Sequence, residues 1–220
     1  MKESHTPPSA EDDFKFLVNH TRMLSNPESD YIAVRERLFH HCCPFSAFVD
    51  YFPLQADLII PSLYISDLYT ATSPTVLSEL GITHVLCIHD DILSDYPTER
   101  TLDILFIQLE DIPSANVEDF FASSTAWIQD ALADADSKVL VHCIAGRSRS
   151  PTLVIAYLMA TKGWSFSTAV TYVQHRRAEI DPSVSFVNQL RRLESRLHDP
   201  GYARNVPVER QGVMIKNSQM

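Results

Sequence analysis

The segment His142-Cys143-Ile144-Ala145-Gly146-Arg147-Ser148-Arg149-Ser150 places a thiol, a glycine and a guanidinium where they could act on one ligand. A thiolate at Cys143 would be a strong nucleophile. Arg149 offers a planar fork shaped to grip two phosphate oxygens. Gly146 lets the backbone approach a ligand closely. The chemistry this suggests is in-line attack on a phosphate monoester. The flanks supply the frame: Lys138 to His142 reads as a buried strand, and the pattern from Ser150 to Ala160 is helical, with Pro151 tolerated in the first turn. A strand-to-helix turn aims successive N–H groups and the positive helix end at one point, which makes an anion site. In open α/β sheets, ligands sit at the carboxyl ends of strands, where this turn lies. The same donors would stabilise the thiolate. The plain alternative is an inert cysteine ending a strand, and the full string in its strand-turn-helix setting speaks against it.

The rest of the chain supplies elements to hold such a turn. Asp57 to Ile65 contains two short apolar runs split by Pro61, a pattern of edge strands. Pro74 to Leu80 reads as a short helix closed by Gly81. Ile82 to Ile88 and Ile104 to Leu109 read as buried parallel strands. Asn116 is placed to cap a helix that lines up Phe120, Trp127, Ala131 and Phe121, Ile128, Leu132. Amphipathic helices are expected over 165–176 and 184–197. Strands and helices alternate and helices then run on, so the fold class is α/β, a short, mostly parallel central sheet flanked by helices. The expected organisation is a disordered N-terminus at 1–13, a helical extension at 14–56 with helices at 14–24 and 30–41, a catalytic domain at 57–198, and a flexible tail at 199–220.

Bulk properties narrow the function. The net charge of −10 over 220 residues gives no basic excess for neutralising a nucleic-acid backbone, so no nucleic-acid partner is expected. No apolar run approaches the ~18 residues of a membrane span, and Met1 to Asp13 has no signal-peptide h-region. Cys42, Cys43, Cys87 and Cys143 are too few and irregular for a disulfide scaffold. Free thiols point to a reduced compartment, the cytoplasm, with the nucleus also compatible. His40-His41-Cys42-Cys43 lacks the spacers that zinc ligands need, so no metal is expected; it reads as the end of an amphipathic helix. Oligomeric state is not legible in the sequence.

At His142, Cys143, Gly146, Arg149 and Ser150 the chain resembles the cysteine-dependent protein phosphatases, specifically the small, atypical dual-specificity phosphatases. The helix 148–159, the junction Leu80-Gly81-Ile82-Thr83-His84-Val85-Leu86 and the strand at Tyr64-Ile65 extend the likeness over about 57–197. The resemblance implies hydrolysis of phosphotyrosine and phosphoserine or phosphothreonine through a phosphocysteine, with phosphoproteins as substrates and no cofactor or metal. It implies a general acid after the strand before the long helix, which assigns Asp111, with Glu110 as the adjacent alternative. Ser150 would donate to the Cys143 sulfur. His142 would hold the loop backbone and help keep Cys143 ionised, or simply pack in its strand. Ile144, Ala145, Arg147 and Ser148 would mainly offer backbone N–H groups. Some relatives protect the nucleophile through a second cysteine, which makes Cys87 a possible redox partner here, against an inert buried thiol.

Relatives acting on phosphoinositides or RNA ends tend to carry basic residues inside the loop. Ile144 and Ala145 stand there instead, with Arg147 as the only extra charge, which favours phosphoproteins. The alternatives are a phosphatase for phosphoinositides or glycans, and a pseudophosphatase that binds phosphoproteins without cleaving them.

Overall fold

A computed structural model of the chain describes residues 54–90, Tyr96, residues 102–199 and the backbone of a strand at 213–216. Its elements lie in the second of two units, Gln55–Met220. The expected helices at 14–24 and 30–41, and the run at 40–43, lie outside the described residues.

The sheet has six strands: β1 (Ala56–Ile60), β2 (Leu63–Ser66), β3 (His84–His89), β4 (Asp103–Gln108), β5 (Val139–His142) and β6 (Val213–Lys216). Their order is β1-β2-β5-β3-β4-β6. The inner pairs β2–β5, β5–β3 and β3–β4 are parallel, and both edge pairs are antiparallel. The helices are α1 (Leu68–Ala71), α2 (Pro74–Leu80), α3 (Phe121–Ala131), α4 (Arg149–Lys162), α5 (Phe166–Gln174) and α6 (Val184–Leu197).

Local sequence explains most boundaries. Ser73 accepts a hydrogen bond from Val76 N–H at the start of α2, and Gly81 ends it at φ 69°. Ser165 and Ser183 cap α5 and α6 in the same way. Two expectations need correction. Asn116 makes no side-chain cap; the chain enters α3 through a 3-10 turn at Val117–Phe120. There the free N–H of Glu118 is taken by Gln189 Oε1 of α6 at 2.9 Å, so a tertiary partner replaces the local cap. The tail beyond residue 199 is not uniformly loose: 213–216 pairs with β4, whose outer edge would otherwise be unpaired.

Period-two alternation sends β-strand side chains into two cores. Leu86, Ile88 and Val141 face Leu153, Ile155 and Phe186 on the side of α4 and α6. Val85, Cys87, Phe106 and Leu140 pack with Leu77 and Tyr96 on the other. Helix α4 packs against α3, α5 and α6 and is buried from Arg149 to Met159. A fully buried aliphatic side chain contributes roughly 1.5–3 kcal/mol, so α4 is a rigid base for the loop before it.

Candidate active site

The loop 143–148 joins the carboxyl end of β5 to the start of α4. Each of its carbonyls is engaged by a donor. His142 Nδ1 lies 3.1 Å from Cys143 O. Leu68 N–H donates to Ile144 O at 3.0 Å, and Asp181 N–H to Arg147 O at 2.7 Å. Arg177 donates from Nη2 to Ala145 O at 3.4 Å and from Nε to Gly146 O at 2.8 Å. Ser148 O accepts from Thr152 Oγ1 at 2.8 Å. Buried peptide groups must be paired, and these partners fix the carbonyls away from the concave side. The amides are left to turn inward, toward an anion.

At the bottom of the loop sits Cys143, fully buried. Its sulfur accepts hydrogen bonds from Gly146 N–H at 3.2 Å and Ser150 Oγ at 3.3 Å. Gly146 has φ 69°, and a Cβ there would lie 2.5 Å from Ser66 O and 2.6 Å from Arg177 Nη2. Only glycine fits, for both backbone and space.

Arg149 is buried at the head of α4. Its Nη1 donates to Asp90 Oδ1 and, at 3.0 Å, to Leu109 O. Its Nε lies 3.8 Å from Asp111 Oδ2. The Asp111 side chain is 10% exposed, and that oxygen has no hydrogen-bond partner among the described residues. Glu110, the adjacent alternative, is exposed. The loop therefore brings together Cys143, Arg149, Ser150 and Asp111.

Behind the loop lies a neutral relay. Cys87 stands beside His142 in the β3–β5 register. It hydrogen-bonds Tyr96, whose hydroxyl meets His142 Nε2. Burial pushes the Cys87 thiol up to about 12 and holds His142 down at about 4. The neutral imidazole with its proton on Nδ1 suits both contacts: Nδ1–H donates to Cys143 O, and Nε2 accepts from Tyr96. His142 thus holds the loop backbone, and it offers Cys143 a dipole, not a positive charge. Cys87 and Cys143 are both free thiols and fall in different core clusters.

Sequence reasoning missed Asp90, Tyr96, Asp57 and Arg177. Arg177 is buried and pairs with Asp57 at 2.6 Å, across 120 residues of chain. No local spacing signals such a pair; the hint was an Arg just beyond a helix, next to another Arg.

The catalytic-domain model of the dual specificity phosphatases matches residues 63–196. The chain belongs to the dual specificity phosphatase family. Serine/threonine/tyrosine-interacting protein B of Xenopus laevis is 37% identical over 151 residues, 66% of this chain and 67% of that protein. The structure of the human tyrosine phosphatase-like serine/threonine/tyrosine-interacting protein superposes with a TM-score of 0.59 at 34% identity, over 64% of this chain and 95% of that one. A mouse protein described as a dual specificity phosphatase, complexed with zinc tungstate, gives 0.60 at 28%, over 66% and 89%. Among the described residues no helix is long and apolar enough to cross a membrane.

Proposed function

We infer that this protein is an active phosphatase that hydrolyses phosphotyrosine and phosphoserine or phosphothreonine in proteins. The observation that carries this reading is the sulfur of Cys143, held by Gly146 N–H and Ser150 Oγ inside a loop whose carbonyls are engaged elsewhere. In the first step the Cys143 thiolate attacks phosphorus, the ester P–O bond breaks, and Asp111 gives its proton to the leaving oxygen. In the second, water attacks the phosphocysteine, Asp111 takes the water's proton, and the P–S bond breaks, with Ser150 donating to the departing sulfur. Arg149 and the loop amides hold the phosphoryl oxygens throughout. Asp90 and Leu109 O orient the Arg149 fork. The burial of Asp111 beside Arg149 supports it over exposed Glu110 as the proton donor. The tungstate of the mouse relative, an oxyanion, is in keeping with a phosphate site.

The names of the similar proteins, interacting and phosphatase-like, favour a second reading: a phosphoprotein binder without turnover. Cys143 and Asp111 argue against it, since a pure binder needs neither nucleophile nor acid. The deciding measurement is vanadate-sensitive hydrolysis of an aryl phosphate. It should vanish in Cys143→Ser, and Asp111→Asn should lower kcat by roughly 10²–10⁴. Binding of phosphopeptides with no turnover would establish the second reading.

Cys87 is proposed as a reversible disulfide partner of oxidised Cys143, because it stands beside His142, the residue preceding the nucleophile. Its buried, protonated thiol would make closure slow. Mass spectrometry after peroxide treatment should find the linkage, and its absence would remove Cys87 from the site.

A further inference from the structure

The proposal concerns the rim of the loop, and it rests on the catalytic reading of that loop. Among the described residues three large apolar side chains are exposed: Leu58, Ile112 and Val184. Two of them flank the site. Ile112 follows Asp111 in sequence. Val184 follows Ser183, whose N–H donates to Ser148 Oγ of the loop at 3.2 Å. The two segments are tied together, because Ser185 Oγ donates to Pro113 O at 2.8 Å. Val184 is 79% exposed and Ile112 42%, so one side of the rim is an open apolar shelf beside the proton donor.

The adjoining rim is acidic. Arg147, the loop's one extra cation, is turned outward: its Nε donates to Glu179 O at 3.0 Å, and its Nη2 lies 3.8 Å from Asp181. Asp181 is 78% exposed. Glu179, 48% exposed, pairs with Arg177 Nη2 at 3.2 Å, and Asp90, 43% exposed, pairs with Arg149. With Asp57 and Asp111 on the same two arginines and Asp181 on Arg147, five carboxylates face three guanidiniums, and the excess charge is negative. Arg149 is buried, held by Asp90 and Leu109 O, and on the proposed reading taken by the phosphate in the loop, so no cation is left over for a second phosphate or an acidic flank among the described rim residues. A ligand that fits must bring one phosphate, positive charge beside it, and an apolar side chain.

We propose that the preferred substrate is a singly phosphorylated protein segment with basic and aliphatic residues flanking the phosphorylated side chain, and that Asp181 and Glu179 on one side and Val184 and Ile112 on the other select it. Segments with acidic flanks or a second phosphate, and phosphoinositides, are disfavoured by repulsion from the same carboxylates.

The test uses the full chain and four phosphotyrosine peptides of equal length: flanked by Arg and Leu, by Glu and Leu, by Arg and Ser, or by Arg and Leu with a second phosphotyrosine. Each kcat/KM is divided by that of the same protein with an aryl phosphate. The Arg–Leu peptide should exceed the Glu–Leu peptide by about tenfold at low salt, with the ratio shrinking as salt screens the charges. Asp181→Asn with Glu179→Gln should reduce that ratio toward one. Val184→Ser should raise KM for the Arg–Leu peptide about threefold and leave the Arg–Ser peptide unmoved. Equal rates for all peptides, preference for the acidic or doubly phosphorylated one, or faster release of phosphate from a phosphoinositide would overturn the proposal. The same peptides are titrated onto the Cys143→Ser variant. If aryl phosphate is not turned over, the catalytic reading fails, and the ratio of peptide Kd values still decides the rim: about tenfold upholds the selection, and parity sinks it.

Discussion

The loop 143–148 is held from two sides by different chemistry. On the side of β1 and α5, a buried ion pair grips it: Asp57 fixes Arg177, and Arg177 holds the carbonyls of Ala145 and Gly146. On the side of β3, a chain of neutral groups does so, from Cys87 through Tyr96 and His142 to the carbonyl of Cys143. The ionic side is strong while intact and costly when halved, since one partner lost leaves a buried charge. The neutral side is weaker per bond, and it depends on His142 staying uncharged. The loop's two clamps should therefore fail under different insults.

Breaking the ionic side is expected to have the largest effect. Arg177→Met strands Asp57 and frees two carbonyls, and should cost about 3–5 kcal/mol in chemical denaturation. Asp57→Leu combined with Arg177→Met should cost less than the sum of the single changes, because no buried charge is then left unpaired; Glu179, the other partner of Arg177, is half exposed. An additive cycle would mean that the pair is not a unit.

Acid should strike the neutral side next. His142 titrates near 4 in the fold and near its ordinary 6.5 when unfolded. The unfolded chain then takes up the proton first, so stability is complete above about 6.5 and falls as pH drops toward 4. The shift corresponds to a loss of about 3 kcal/mol across that window. Stability curves by denaturant at stepped pH should show this slope, and a His142→Asn variant should lack it. Arg177→Met should keep the slope while starting lower, which separates the two clamps.

The smallest effect is expected from Tyr96→Phe. It removes the hydroxyl that meets both His142 Nε2 and Cys87, and leaves Nε2 buried without its donor, a loss of about 1–2 kcal/mol. A loss as large as that of Arg177→Met would contradict the contrast between the sides.

Much of this was legible in the chain itself. The bounds of α2 and α6 were legible to the residue, α2 from its closing Gly81 and α6 from its amphipathic spacing, while the Ser73 and Ser183 caps came only with the structure. The β3, β4 and β5 runs were visible because both faces of a parallel strand are buried and apolar. Asn116 misled because the Glu118 N–H of the 3-10 turn finds Gln189, more than 70 residues on. The strand at 213–216 was missed because its partner, the outer edge of β4, exists only once the sheet has formed.

Cys143, Gly146 and Arg149 could be read from spacing, because one strand, one turn and one helix carry them all, and the family resemblance added Ser150. Residue order alone points to the loop's proposed chemistry: the atom that would attack, the side chain that would grip, and where the backbone must be glycine. What holds and surrounds the loop is set by contacts that exist only once the chain has folded. Asp90, Tyr96, Asp57 and Arg177 act from distant segments, and a buried charge or proton is set by its neighbours in space. The same holds for Arg147: its place in the loop promised a backbone N–H and one extra charge, and folding sets that charge against Glu179 O and Asp181.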